Sequence, residues 1–235
     1  MKKIKVLSFN TENCTNYLER KIDFDIMAKA IKDCDADIVG LNEMRDKSTF
    51  PEYDDQTKIL SELTGIENYY FAKAIDLGDD RPFGNGILSK YKIESVENIA
   101  IPDPEPKMYD GYYQTRCILK AKLENDLTIM VTHFGLNPDE HKNAVDTIVK
   151  HIEAEKCILM GDFNVKPNNE VLSSIRDKMV DTAVCFKEEL LSWPSDKPLR
   201  KIDYIFVTPD IEIIDADIPA IVASDHRPHT VTILY

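Results

Sequence analysis

What most constrains this chain is a run of strand-like segments with no helix between them. Amphipathic helical patterns near residues 23–34 and 55–64 are followed by strand patterns near 68–74, 84–89, 93–100, 114–123 and 126–133. Only then does the next helix pattern appear, at 139–153. In the first helix Phe24, Met27, Ile31 and Cys34 share a face; in the third, Ala144, Val145, Ile148, Val149 and Ile152 form the inner stripe. Parallel neighbours need crossover connections, so consecutive strands argue against a purely parallel doubly wound sheet. Two mixed sheets packed face to face, with helices outside, satisfy the pattern. Further strands are expected near 4–10, 36–43, 156–162, 201–208, 211–217 and 229–235, with a short helix near 169–177. No linker or low-complexity segment interrupts residues 1–235, which are read as a single α/β domain. The proline-rich stretch 101–113 is expected to be a surface loop.

Several of the apolar strands end in a polar residue. "CILMGDFNVKP" turns from a buried run into Asp162 and Asn164, which alternation sends to one side while Phe163 faces away. Asn10 follows Ile4, Val6 and Ser8 on one face; Glu43 follows Val39 and Leu41; His133 follows Ile129 and Val131. In "RKIDYIFV" Asp203 joins the row of Ile205 and Val207, and "ASDHRPH" sets Asp225 beside His226. Singly, each has an ordinary explanation: Asp-x-Asn forms turns, and a lone histidine is usually structural. Together they place polar groups at the ends of five strands, where sheet ends can line one pocket. Four carboxylates gathered there would repel one another without a cation, and oxygen ligands without a cysteine cluster favour Mg²⁺ or Mn²⁺ over zinc. With Arg116 and two histidines, such a pocket suits phosphate-ester chemistry.

Composition narrows the partners. Net charge is −13, from 42 acidic and 29 basic residues, and no Lys/Arg run exceeds Lys2-Lys3. That disfavours a nucleic-acid partner without excluding a nuclease that cuts through a local site. Cysteines at 14, 34, 117, 157 and 185 are odd in number and lack a Cys-x-x-Cys, so neither disulfides nor a zinc site is expected. Cys34 and Cys157 read as buried thiols. The opening "MKKIKVLSFN" breaks its apolar stretch at Ser8 and Asn10, so it reads as a strand and not a signal peptide. A cytoplasmic monomer with no membrane partner is expected.

The motifs, taken in order, resemble the endonuclease/exonuclease/phosphatase superfamily, which includes DNase I, abasic-site endonucleases, sphingomyelinases, inositol polyphosphate 5-phosphatases and deadenylases. The carriers are "SFN", "LNE", "GNGILS", "TRC", "THFG", "GDFN", "KIDYIFV" and "SDHRP", spread over nearly the whole chain. "THFGLNPDEHKNAV" and "SWPSDKPLRKIDYIF" are most similar to the small bacterial metal-dependent hydrolases of that group. The resemblance implies a DNase I-like four-layer α/β/β/α sandwich, and it implies roles. Glu43, with Asn10 and Asp225 nearby, would hold Mg²⁺ or Mn²⁺. His226, oriented by Asp203, would be general base or phosphate contact, and Asp162 would position or deprotonate the attacking water; the choice of base stays open. Asn164 and His133 would donate to phosphoryl oxygens, and Arg116 would neutralise the phosphate or order the carboxylates.

Three departures from subfamilies are visible. Glu12 stands where abasic-site enzymes carry an acid near the metal, Asn85 stands in place of the glutamate that supports the DNase I histidine, and the disulfides of secreted DNases have no counterpart. Trp193 reads either as a wall for a flat group or as a loop anchor, and Lys197 and Arg200 either as phosphate contacts or as solvated charge. The expected activity is a phosphodiesterase acting by in-line attack of water on a small or short substrate. A phosphomonoesterase on a sugar, lipid or nucleotide phosphate, a nuclease, and a non-catalytic binding protein are the alternatives.

Overall fold

The computed structural model describes residues 2–50 and 53–235. From the amino end run β1 (Lys3–Asn10), a short hairpin of β2 (Thr15–Asn16) and β3 (Lys21–Ile22), α1 (Phe24–Cys34), β4 (Ile38–Arg45) and α2 (Gln56–Thr64). Five strands follow without a helix, the first four being β5 (Asn68–Asp76), β6 (Pro82–Ser89), β7 (Ile93–Ala100) and β8 (Cys117–Leu123). Then come β9 (Thr128–His133), α3 (Pro138–His151), β10 (Cys157–Asp162) and α4 (Ser173–Arg176). The chain ends with β11 (Val180–Asp181), β12 (Asp203–Val207), β13 (Glu212–Asp217) and β14 (His229–Leu234).

Local chemistry sets the helix ends. The Asp23 carboxylate accepts from the Ile26 amide at 3.1 Å, and Asp55 accepts from Lys58 at 3.0 Å. At α3, Pro138 occupies the first turn and Glu140 reaches back to the Asn137 amide at 3.0 Å. The short helix expected near 169–177 is instead a 3₁₀ turn, Glu170–Leu172, running into α4. The strand expected from 114 begins at Cys117, leaving Arg116 on the loop side of its tip. β2, β3 and β11 were not legible, because two residues carry no periodicity.

The strands form two six-stranded sheets, ordered β13-β14-β1-β4-β6-β5 and β11-β12-β10-β9-β8-β7. Each contains one parallel pair, β1 with β4 and β9 with β10, and in each pair the chain crosses over through a helix, α1 or α3. The remaining neighbours are antiparallel. β14 inserts between β13 and β1, so the end of the chain pairs with its beginning, and Lys2 and Tyr235 exchange backbone hydrogen bonds of 2.9 and 3.2 Å.

Three apolar clusters separate four layers. Ile4, Val6 and Ile38 of one sheet meet Val131, Ile158, Met160 and Ile205 of the other between the sheets. Met27 and Ile31 of α1 cover Leu7, Phe9, Val39 and Leu41 on one outer face. Ala144, Val145 and Ile148 of α3 cover Met130, Leu159, Phe163 and Phe206 on the other. The fold is the expected α/β/β/α sandwich of two mixed sheets. Cys14, Cys34, Cys117 and Cys157 are buried free thiols. Among the described residues, no helix is long and apolar enough to cross a membrane.

Candidate active site

Because both parallel pairs run in the direction that exposes their carboxyl ends at one rim, Asn10, Glu43, His133 and Asp162 all finish there. Asp203 opens the antiparallel β12 opposite Asp162, and the segment before β14 brings Asp225 and His226 to the same rim. A cavity of about 490 Å³ results, lined by Glu43, Arg116, His133, Asp162, Asn164, Trp193, Arg200, Asp225 and His226 among others.

Glu43 arrives there by a route that simple alternation misses. Val39 and Leu41, which it was expected to follow, pack under the helices, away from the inter-sheet side. The register of β4 against β6 shifts between Leu41 and Met44, a bulge, and Glu43 adopts φ 58°. The extra residue returns Met44 to the helix face and turns Glu43 toward Asn10, whose amide nitrogen donates to Glu43 Oε1 at 3.2 Å. A left-handed glutamate is costly for a non-glycine residue and is held here by its surroundings.

Beside Glu43, Asn42, which sequence reasoning passed over, points into the space between the sheets. Its Nδ2 donates to Asn85 Oδ1 and to the Thr132 carbonyl, both at 2.8 Å, while its Oδ1 accepts the Asp162 amide at 2.9 Å. Gly161 permits this approach: its φ is 145°, and a Cβ there would collide with the same Thr132 carbonyl. The signal was present in the alternation, since Asn42 shares the inward parity of Ile38 and Gly40. Asn85 therefore braces Asn42, and its own amide donates to the Cys117 carbonyl at 3.0 Å. It does not support His133, contrary to the sequence-based expectation.

His133 is supported by Arg116, whose guanidinium donates to Nδ1 at 3.0 Å. Burial, Arg116 and His226 together hold His133 well below the usual histidine range, so the ring is neutral and carries its proton on Nε2. That N–H faces Asp162 Oδ2 at 3.4 Å, while the nearby Asn164 side-chain nitrogen donates to the Phe134 carbonyl at 3.1 Å. Arg116 thus orients a histidine, and burial lowers its own pKa.

Asp162 is the hub. Its Oδ2 accepts from Asn10 Nδ2 at 3.1 Å and lies 3.6 Å from His226 Nε2, and its Oδ1 accepts the Asn164 amide at 2.9 Å. Burial raises its pKa, Asp203 adds to the rise, and His226 opposes it. His226 Nδ1 donates to Asp203 Oδ2 at 2.8 Å. Burial alone would depress the imidazole, but Asp203, Asp162 and Asp225 together outweigh it and raise its pKa above the ordinary value, favouring the imidazolium.

The oxygens of Glu43 and Asp225 remain for a cation. Burial and the neighbouring Asp225 raise the Glu43 pKa, so a positive ion there would relieve both. Asp162, Asp203 and His226 also offer ligand atoms within 4.8 Å of one another. In that trio the Nδ1–H of His226 is committed to Asp203, and the three surrounding carboxylates favour the imidazolium, which offers no lone pair to a metal. Asn10 bridges Glu43 and Asp162 through its amide nitrogen while its oxygen accepts the Glu12 amide at 3.1 Å. Glu12 itself pairs with the Arg20 guanidinium at 2.9 and 2.5 Å and does not line the cavity.

Trp193 lies at the edge of this group. Its indole donates to Asp225 Oδ2 at 3.2 Å, and its ring lines the cavity. Arg200 lines the cavity too, whereas Lys197 does not. Phe83, Tyr112 and Gln114, which no motif marked, complete the walls with Leu136 and Ile202. Phe83 reads as an ordinary core residue of β6 and Tyr112 as ordinary exposed surface, so neither carries a pattern that marks a site.

The family model described as "Endonuclease/Exonuclease/phosphatase family" matches residues 7–226. The chain belongs to that family. No curated protein matches it. Among solved structures, an endonuclease/exonuclease/phosphatase from Bacteroides vulgatus is similar at TM-score 0.78 and 19% identity, over 100% of this chain and 99% of that one. A mannosyl-6-phosphatase from Bacteroides thetaiotaomicron VPI-5482 is similar at TM-score 0.75 and 16% identity, over 99% and 100%. Truncated TDP2 from Caenorhabditis elegans follows at TM-score 0.64 and 16% identity, over 99% and 98%. At these identities the likeness is one of fold. Family membership makes the chain a hydrolase of the phosphoesterase and nuclease kind.

Proposed function

We propose that the protein is a Mg²⁺- or Mn²⁺-dependent phosphodiesterase that acts on a small or short substrate by in-line attack of water. The observation that carries this is the convergence of Glu43, Asp162, Asp225, His133 and His226 on one cavity. Glu43 and Asp225, with Asn10 beside them, would hold the ion, which when bound would neutralise phosphoryl charge as a Lewis acid. Asp162 is the candidate base: it is a carboxylate whose pKa burial moves toward neutrality, and both histidines flank it. His226, carrying a proton and anchored by Asp203, would contact a phosphoryl oxygen. The Nε2–H of neutral His133 and the Asn164 amide would donate as charge builds on phosphorus oxygens. Each named position thus holds a competent residue, which weighs against a non-catalytic binding protein.

The likeness to a mannosyl-6-phosphatase supports a monoesterase as the second reading. Three carboxylates line the cavity, and a singly charged diester meets less repulsion from them than a monoester dianion does. The test is hydrolysis of bis-p-nitrophenyl phosphate and p-nitrophenyl phosphate with added Mn²⁺, with EDTA, and with Glu43→Gln. The diester should be preferred, EDTA should abolish turnover, and the variant should need more metal while unfolding like the parent. Full activity in EDTA after exhaustive dialysis would refute metal dependence, and a preference for the monoester would favour the second reading.

A further inference from the structure

Resting on the phosphoesterase reading, we infer that Arg200 is an anion subsite that selects substrates carrying a second phosphate besides the scissile one. The cavity holds three cationic side chains, Arg116, His226 and Arg200. The first is committed to His133 and the second to Asp203. Arg200 is exposed and forms no ion pair among the described residues, although the chain carries a net charge of −13. Its guanidinium instead lies over the Trp193 ring, 5.5 Å from the centroid.

A surface arginine is ordinarily a solvated charge, and two features set this one apart. Its backbone is pinned by a bridge to Trp193, with Trp193 N donating to Arg200 O and Arg200 N to Trp193 O, both at 3.0 Å. The loop between them is clipped to the segment bearing Asp225 and His226. Ser195 donates its amide to Asp225 O at 2.7 Å and its hydroxyl to Ser224 O at 2.6 Å, and Arg227 Nε donates to Ser195 O at 2.7 Å. The guanidinium is therefore presented by the same rigid piece that carries the catalytic histidine, which limits the ordering cost of binding. Arginine's planar fork suits phosphate, and stacking on an indole leaves its N–H edge free. A cavity of about 490 Å³ accommodates a molecule of nucleotide size with both ends engaged.

The experiment compares three p-nitrophenyl diesters with added Mn²⁺: bis-p-nitrophenyl phosphate, thymidine 5′-(p-nitrophenyl phosphate), and the latter with a 3′-phosphate. Arg200→Gln should raise KM for the 3′-phosphorylated substrate about 10- to 100-fold, the range of a charge-assisted contact, with kcat nearly unchanged. The other two substrates should change less than about twofold, and Arg200→Lys should recover part of the loss. Equal losses on all three substrates, or none on the third, would overturn the inference. Calorimetric binding of thymidine 3′,5′-bisphosphate and thymidine 5′-monophosphate separates this from the activity itself. A preference for the bisphosphate that collapses in Arg200→Gln supports the subsite even if none of the diesters is hydrolysed, an outcome that would fail the phosphodiesterase reading alone. Equal affinities in the parent protein would refute the subsite.

Discussion

Replacing Asn42 with alanine should loosen the sheets and the site together. The side chain is fully buried and satisfies three groups: Asn85 Oδ1, the Thr132 carbonyl and the Asp162 amide. A net hydrogen bond contributes about 1 kcal/mol, but a buried partner left unsatisfied costs about 1–3 kcal/mol. These terms are not additive, since one cavity serves all three groups and Asn85 can turn. A loss of about 3–4 kcal/mol is therefore expected, a large part of the roughly 5–15 kcal/mol that holds a protein folded. Urea unfolding should show it as a lower midpoint at unchanged slope. Catalysis should fall as well, because Asn42 sits within the bulge that aims Glu43 and holds the Asp162 backbone; a displacement near 1 Å costs on the order of 100-fold in kcat. The purified variant, assayed well below its unfolding midpoint, reports this separately from stability. A stability loss under about 1 kcal/mol with normal turnover would refute the view that this amide sets the spacing between the sheets.

Three further results are expected. Asp203→Asn and His226→Ala should each lower kcat by about 10²- to 10⁴-fold, with the double variant scarcely worse, because the pair acts as a unit; multiplicative losses would show independent action. The same pair makes stability pH-dependent: the folded pKa of His226 lies above its ordinary 6.5, so its contribution is complete below that value and is lost as pH rises through the folded pKa. Asp203→Asn should accordingly be most destabilising near pH 6 and approach the parent in alkali, and a constant difference in urea midpoints would refute this. Short phosphodiesters should be turned over with weak salt dependence and plasmid DNA poorly, because a net charge of −13 gives little field for a long polyanion; efficient nicking with a steep salt slope would contradict the assignment of substrate size.

The layers were legible because each face of each element carries its own period: Ile4 and Val6 alternate toward the other sheet, and Met27 and Ile31 follow a helical stripe. The strand-end residues were legible as polar interruptions of apolar rows. What alternation could not supply was the bulge. It assigned Glu43 to the face of Val39 and Leu41, and only a left-handed residue corrects that. Partner choice was equally hidden: nothing local says that Arg116 serves His133, that Glu12 is claimed by Arg20, or that Asn85 braces Asn42. The contacts of Arg116 with His133 and of Asn85 with Asn42 depend on register between strands that the sequence does not print, and Glu12 meets Arg20 only through the turn geometry between them.

The place of β14 has a consequence for how such a chain comes off the ribosome. Asn10 and Glu43 emerge early, within a sheet whose central gap beside β1 is filled only when residues 229–234 pair there. Asp225 and His226 are drawn into position by that closing strand. Until that pairing forms, the edge of β1 is open and Glu43 lacks Asp225, the second carboxylate proposed for the ion. On the proposed reading, ion binding and turnover both need β14 in place, so a variant lacking residues 225–235 should show neither in a Mn²⁺-supplemented assay.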